Sequence, residues 1–338
     1  MKKFLVVNVN WLGDVIFSAP VFKALKAAYP QSQVSCLAVP RVREILESIP
    51  GIDEIIVYDE EGLHRGPLAK LRLIRELSQK HFDAAFLLHR SLTRALLVFF
   101  AGIPERIGYA TKGRGPFLTC KAGVLDERKV HRSDYYFNVL ESFGVRVAER
   151  SGSLNVPAGS EIEIREILEG CAVGKEDFLV VIHPGGNWDL KRWPADYFSL
   201  LVTELLKDRK IKVVISGSED DVVLAKKIAA GSYGNPVILA GKLDLKQLMA
   251  LMKRANCVVS ADSGPLHIAN SVGSPVIALF GPTRPEITGP RGGRAVVVQH
   301  DVGCNRRPCY YLECPDNTCM QAVSVRKVID AIRKIQDQ

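Results

Sequence analysis

Cys257-Val258-Val259-Ser260-Ala261-Asp262-Ser263-Gly264-Pro265-Leu266-His267 runs from an apolar segment through a tight turn into Ile268-Ala269-Asn270-Ser271-Val272-Gly273. This reads as strand, turn, helix. Ser263 suits an N-cap, Gly264 supplies backbone freedom, and Pro265 suits a first helical turn. Such a turn aims unpaired backbone N–H groups and the positive end of a helix dipole at one point, a place for an anion and most often a phosphate. A capped helix without a ligand carries the same signature, so the stretch fixes the local structure and leaves its use to the rest of the chain.

Working outward, the same alternation recurs. Strands are expected at Phe4–Val9, Gln33–Val39, Glu54–Tyr58 and Asp83–Leu88, with helices over Val15–Ala28, Arg41–Ser48, Leu68–Gln79 and Ser91–Ala101. Residues 102–132 are rich in Gly, Pro and basic residues and read as loops, followed by a helix over Ser133–Phe143. Ser151-Gly152-Ser153 and Pro157-Ala158-Gly159-Ser160 mark a linker. The pattern then restarts, with strands at Phe178–Ile182, Lys212–Ser216, Val237–Ala240, Cys257–Ser260 and Val276–Phe280 and helices between them. Strict alternation implies βαβ units and parallel sheets, and near-continuous apolar strands such as Ala84-Ala85-Phe86-Leu87-Leu88 fit sheets covered on both faces. The chain therefore reads as two doubly wound halves. Ligands of such sheets bind at the carboxyl ends of the strands, and two sheets facing each other would share one site.

A length of 338 residues suits two domains, and a composition 47% hydrophobic and 24% charged is ordinary for a globular chain. No apolar run approaches the ~20 residues of a membrane span, and the run after Lys2-Lys3 is too short for a signal peptide, so a cytoplasmic location is expected. The formal net charge is +8, and between Arg90 and Arg132 nine Lys/Arg face three acids. That excess suits an anionic partner. Nucleic acid is disfavoured, because aromatics such as Tyr109 and Phe117 interleave the charges only sparsely and no recognition motif appears.

Three further stretches carry chemistry. Asn8-Val9-Asn10-Trp11-Leu12-Gly13-Asp14 ends the first strand; Asp14 reads either as a helix cap or as a general base. This is not the G-x-G-x-x-G fingerprint, which argues against a nicotinamide-dependent dehydrogenase. Ile182-His183-Pro184-Gly185-Gly186-Asn187-Trp188-Asp189-Leu190-Lys191-Arg192-Trp193-Pro194 ends a strand in a Gly-rich turn followed by a basic pair able to reach a diphosphate. Ser216-Gly217-Ser218-Glu219 ends another strand, and Glu219 reads as a partner for a sugar hydroxyl or as a first-turn helix acid. Cys304, Cys309, Cys314 and Cys319 recur every five residues, a spacing compatible with a structural metal site or with four reduced thiols in a loop.

Taken in order, H-P-G-G-x(4)-K-R-W-P, G-S-E, S-A-D-S-G-P-L-H and Ala278-Leu279-Phe280-Gly281-Pro282-Thr283-Arg284-Pro285, with the opening N-W-L-G-D-V-I-F-S-A-P, resemble the family 9 glycosyltransferases, the bacterial ADP-heptose:lipopolysaccharide heptosyltransferases. The resemblance covers essentially the whole chain and is nearest the heptosyltransferase II type. It implies an α/β GT-B architecture, two Rossmann-like domains with parallel sheets facing a central cleft. Residues 1–155 would form the acceptor domain and 156–322 the nucleotide-sugar domain, with a final helix in 323–338 packing back on the first. It implies inverting heptose transfer from an ADP-heptose donor to a lipid A–core acceptor, requiring no cofactor. Asp14 would be the base and Lys191 would stabilise the leaving ADP. Gly185, Gly186, Arg192, Ser216, Glu219, Asp262, Ser263, Gly264 and His267 would line the donor site. Arg90, Arg94, Arg106, Lys112 and Arg114 are expected to meet the anionic acceptor, with the protein peripheral to the inner membrane. A related GT-B enzyme using another nucleotide-sugar or acceptor, or a sugar epimerase, fits the same layout.

Overall fold

Apolar runs without alternation become the inner strands of two parallel sheets, because helices cover both faces of each. The computed structural model describes residues 1–292, 294–309, 311 and 313–337, and the chain divides into two units, Met1–Asn155 and Val156–Gln338.

The first unit runs β1 (Lys3–Val7), α1 (Leu12–Ala28), β2 (Gln33–Ala38), α2 (Arg43–Leu46), β3 (Glu54–Val57), α3 (Pro67–Gln79), β4 (Ala84–Leu87), α4 (Leu92–Phe100), β5 (Glu105–Tyr109), β6 (Cys120–Ala122) and α5 (Arg132–Glu141). The strand order is β3-β2-β1-β4-β5-β6, all pairs parallel. Leu5, Val6 and Val7 are fully buried between β2 and β4, with Val7 opposite Leu37 and Leu87.

β5 and β6 correct the expectation of loops over 102–132. Glu105-Arg106-Ile107-Gly108-Tyr109 carries two charges and a glycine, so its sequence lacks a strand's apolar signature. The glycine is needed for pairing: a Cβ on Gly108 would lie 3.2 Å from both the Cβ and the carbonyl oxygen of Leu87 on β4.

The second unit runs α6 (Ala158–Gly170), β7 (Phe178–His183), α7 (Ala195–Leu205), β8 (Ile211–Ile215), α8 (Val222–Ala230), β9 (Val237–Ile238), α9 (Leu245–Arg254), β10 (Cys257–Ala261), α10 (Gly264–Ser271), β11 (Val276–Phe280), α11 (Pro285–Thr288), β12 (Ala295–Gln299), α12 (Thr318–Gln321) and α13 (Val325–Gln336). Its order, β12-β11-β10-β7-β8-β9, repeats that of the first sheet when each unit's strands are counted from its own start. In both sheets the order reverses between the unit's first and fourth strands, and the loops leaving that pair form the crevice of a doubly wound sheet. Asp14 follows β1, the Gly185-Gly186 turn follows β7, and Asp262 follows β10.

The closing helix α13 packs within the second unit. Its apolar stripe Val328, Ile329, Ala331 and Ile332 joins the second core, and the buried Trp193 indole donates to the Val323 carbonyl (2.8 Å). Trp193 of the K-R-W-P motif is thus a core residue that anchors the tail.

Candidate active site

In the first unit, Asp14 lies in the opening turn of α1, three residues after the N-cap Trp11, which makes no side-chain cap bond. The end of β1 is fixed by Asn8, whose Oδ1 accepts from the Val9 N–H (2.8 Å) and the Ser18 hydroxyl (3.0 Å). Two residues of α5 hold the Asp14 carboxylate. The Tyr136 hydroxyl donates to Oδ1 at 2.8 Å, and the Arg132 Nε lies 3.8 Å from the same oxygen. Burial, then the neighbouring negative charge of Asp14, raises the Tyr136 phenol well above its ordinary value. Tyr136 therefore stays protonated and donates, which leaves Oδ2 of Asp14 as the oxygen able to take a proton. The ion pairs continue outward: Glu127 joins both Arg132 and Arg90, each at 3.1 Å. Tyr136, Arg132 and Glu127 escape a sequence reading because they stand more than a hundred residues from Asp14. The one local signal was the tandem Tyr135-Tyr136.

The five expected acceptor contacts fare differently. Arg94 and Arg114 are buried and hold main chain: Arg94 donates to the Asn8 carbonyl (2.8 Å) and pairs with Glu60 (3.3 Å), and Arg114 Nε donates to the Tyr109 carbonyl (2.6 Å). Burial pushes Arg114 down to about 10. Arg106 pins the β5–β6 connection through the Phe117 carbonyl (2.7 Å), and Arg90 is paired with Glu127 over the Tyr135 ring. Lys112 alone of the five is exposed. Between them His89 is pushed down to about 3, first by burial and then by the charges of Arg94 and Arg114, so it stays neutral. Much of the positive charge in this segment is therefore internal scaffolding.

The second unit gathers its candidate residues at the β7/β10 reversal, where Ser260 pairs with His183. Lys191 Nζ donates to the Asp262 Oδ2 (2.8 Å) and reaches the Asp262 carbonyl (3.2 Å). The same carboxylate accepts from the Thr288 hydroxyl (3.1 Å), and His267 Nε2 lies 3.5 Å from Oδ1. Burial alone would raise the Asp262 carboxyl; the His267 hydrogen bond and the Lys191 charge outweigh it and hold the group well below the usual carboxylate range. Asp262 is thus an anion at any working pH, and it fixes the Lys191 ammonium at the mouth of the α10 turn.

Ser263 sits at the N-cap position of α10 with extended backbone but makes no side-chain cap bond, contrary to expectation. Its hydroxyl pairs with that of Ser260 (3.2 Å) instead, so the Ser263 side chain does not cap the N-terminus of α10. Arg192, expected on the donor, gives its Nε and Nη2 to the Gly186 carbonyl (3.0 and 2.7 Å) and pairs with Asp189 (2.9 Å), so it clamps the Gly-rich turn. Ser216 is buried and its hydroxyl meets His183 Nδ1 (3.1 Å); burial pushes that imidazole down to about 4. Glu219 is exposed in the 3-10 turn Glu219–Asp221.

That turn contains a residue the sequence reading passed over. Asp221 is buried and accepts from both the backbone N–H (2.9 Å) and the hydroxyl (2.7 Å) of Ser218. Its carboxylate fills the space where a Cβ on Gly185 would stand, 2.3 Å from the ideal position. The β7 turn and the β8 turn therefore lock together only if residue 185 lacks a side chain. Gly185→Ala is expected to destabilise the protein by about 1–3 kcal/mol through this overlap. Gly159→Ala, in α6 with nothing near its Cβ position, is expected to be neutral or mildly stabilising. Urea denaturation of both variants checks this, and equal midpoints would refute the packing argument.

Cys304, Cys309, Cys314 and Cys319 are free thiols, Cys304 and Cys314 exposed. Among the described residues no group of three or more His, Cys, Asp or Glu is arranged to hold a metal, so the structure does not support the candidate structural site at the four cysteines. Cys319 lies 3.7 Å from the Asn317 side-chain oxygen, and burial raises its thiol.

Residues 70–315 match the model of glycosyltransferase family 9 (heptosyltransferase). The chain belongs to this family. Lipopolysaccharide heptosyltransferase 2 of Salmonella typhimurium is 28% identical over 324 residues, covering 90% of each chain. Among solved structures, a family 9 glycosyl transferase from Veillonella parvula superimposes with a TM-score of 0.87 at 26% identity, covering 99% of this chain and 97% of the other. ADP-heptose lps heptosyltransferase II of E. coli gives 0.81 at 24% identity, covering 99% and 98%. Family membership makes the protein a glycosyltransferase of the GT-B fold class.

Proposed function

We propose that the protein transfers a heptose from ADP-heptose to a sugar of the lipopolysaccharide inner core, as the names of its family 9 relatives suggest. The observation that carries the reading is the Lys191–Asp262 pair beside the N-terminus of α10, which Ser263 leaves without a side-chain cap. A fixed cation and a helix N-terminus suit a nucleotide diphosphate and the charge that grows on it as it leaves.

The chemistry is a single displacement. Asp14 Oδ2 takes the proton of the acceptor hydroxyl while Tyr136 holds Oδ1. The acceptor oxygen bonds to the anomeric carbon, and the bond from that carbon to the β-phosphate oxygen breaks with its electron pair, releasing ADP. One displacement inverts the anomeric configuration. Lys191 and the α10 amides offset the leaving charge, a task that divalent metal performs elsewhere, so the reaction is proposed to need no metal. Thr288, Ser263 and His267 would shape the donor pocket, Glu219 would meet the ribose, and Lys112 would meet the acceptor. No helix among the described residues is long and apolar enough to cross a membrane. The acceptor is lipid-borne, so the protein would work at the cytoplasmic surface of the inner membrane.

The test is ADP release from ADP-heptose with and without Kdo-lipid A or heptosyl-Kdo-lipid A, in the presence of chelator. Release that depends on one acceptor and survives chelation is expected. Release of sugar to no acceptor, or turnover of another nucleotide-sugar only, would point to the related transferase or epimerase reading; loss on chelation would overturn the metal-independent step.

A further inference from the structure

The outward face of the α3/α4 layer carries apolar side chains that no core explains. Leu68 and Leu71 on α3 are 72% and 58% exposed, and Leu92, Phe99 and Phe100 on α4 are 39%, 39% and 62% exposed. The two helices pack side by side on one face of the first sheet and share its core through Leu73, Leu77, Ala95 and Val98. Leu92 and Phe99 stand seven residues apart on α4, so they lie along one stripe, and Phe100 adjoins it. Phe99 also packs edge-on against Phe117 at 5.3 Å, which extends the apolar ground toward the β5–β6 connection. Scattered single apolar residues are normal on a surface; five on the outward sides of two neighbouring helices exceed scatter, and we take them as the mark of an interaction surface.

The charge on the same face selects the partner. From Arg65 to Arg75 the chain holds four basic residues and no acidic one. Among the described residues, no ion pair engages Arg65, Lys70, Arg72 or Arg75, and all but the half-buried Lys70 are exposed. By contrast Arg94 and Arg114, the cations expected from sequence to face an anionic surface, are buried on backbone carbonyls. Exposed leucine and phenylalanine among free arginines and a lysine is the composition of a surface that lies in the headgroup region of an anionic bilayer, with rings and aliphatic groups at the acyl boundary and cations at the phosphates.

We propose that the α3/α4 face, bearing Leu68, Leu71, Phe99 and Phe100 with Arg72 and Arg75, docks the protein on anionic membrane. The proposal rests on the reading that the acceptor is lipid-borne, and it moves the charged part of the membrane contact from the cations of 90–132 to those of α3, which sequence charge counting did not single out.

Flotation with vesicles of phosphatidylglycerol and phosphatidylcholine in equal parts, and with phosphatidylcholine alone, tests it without donor or acceptor. The full-length protein is expected to float with the anionic vesicles, less so at high salt, and to stay in solution with the neutral ones. Leu71→Glu with Phe100→Glu, and separately Arg72→Glu with Arg75→Glu, are expected to lower anionic-vesicle affinity on the order of tenfold or more. Turnover of a delipidated, soluble core acceptor should stay at the wild-type rate in both, which shows that the variants fold. Wild-type flotation by both variants would overturn the proposal. So would a concentration-dependent dimer that the same substitutions dissolve, since the face would then belong to a second copy. Failure of the transferase assay with flotation intact would instead fault the functional reading and leave the surface standing.

Discussion

Asp14→Asn is expected to lower the rate of heptose transfer by about three orders of magnitude, within the range a general base contributes. The substitution keeps the shape of the side chain and an oxygen to accept from the Tyr136 hydroxyl, so the contact that positions it survives. What it removes is the basic oxygen. Donor affinity should be unchanged, because the residues assigned to the diphosphate (Lys191, Asp262 and the α10 turn) all belong to the second unit. The measurement is single-turnover ADP release together with calorimetric binding of ADP. A loss confined to the rate, with ADP affinity intact, supports Asp14 as base. A rate within tenfold of wild type would remove Asp14 from the mechanism and return it to a first-turn acid that merely favours the α1 dipole.

That prediction leans on a network that the sequence could not display. The fold was legible because each unit is built from local signals: apolar strands such as Phe178–His183, amphipathic helices, and turn residues at strand ends. Where those signals weaken, the reading failed. β5 hides behind Glu105, Arg106 and Gly108, yet β4 supplies its partner and the glycine permits the approach. The family motifs fall at strand ends: Asp14, Lys191 and Asp262 follow β1, β7 and β10, whose places in the doubly wound sheets are fixed. Side-chain partnerships were not legible. Ser263 has the right residue type for a cap, but Ser260 lies 3.2 Å from its hydroxyl and takes it. Arg94 and Arg114 counted as surface charge, and tertiary packing buried them. Asp221 stands in the acidic run Glu219-Asp220-Asp221, where nothing local sets it apart, and its role becomes visible only where the β7 and β8 turns meet over it. Each of these depends on which segments adjoin in space, and that information is spread over the chain rather than held in any window of it.

Lys191→Met should act on catalysis and stability together, and pH separates the two. Methionine keeps the length and apolar stem of lysine and removes the ammonium. Transfer is expected to fall by about two to three orders of magnitude, the scale for losing a fixed charge on a leaving group, with weaker ADP binding as well. The stability effect arises because Asp262 is left buried with His267 and Thr288 but without its cation. Breaking a buried pair costs ~3–5 kcal/mol; Lys191 is partly exposed and two partners remain, so about 2 kcal/mol is expected at neutral pH. The folded-state pKa of Asp262 is depressed, so its ionised form contributes stability above the unfolded carboxyl value near ~4 and loses it as pH falls through the folded value. Without Lys191 the depression shrinks, and the variant forfeits part of that contribution. Wild type and variant should therefore differ most at neutral pH and converge in strong acid. Urea titrations across the acid range read this directly. A gap that stays constant with pH would mean that the lysine stem, not its charge, supports the fold. Lost turnover with a vanishing stability gap at neutral pH would mean that Lys191 serves the donor alone.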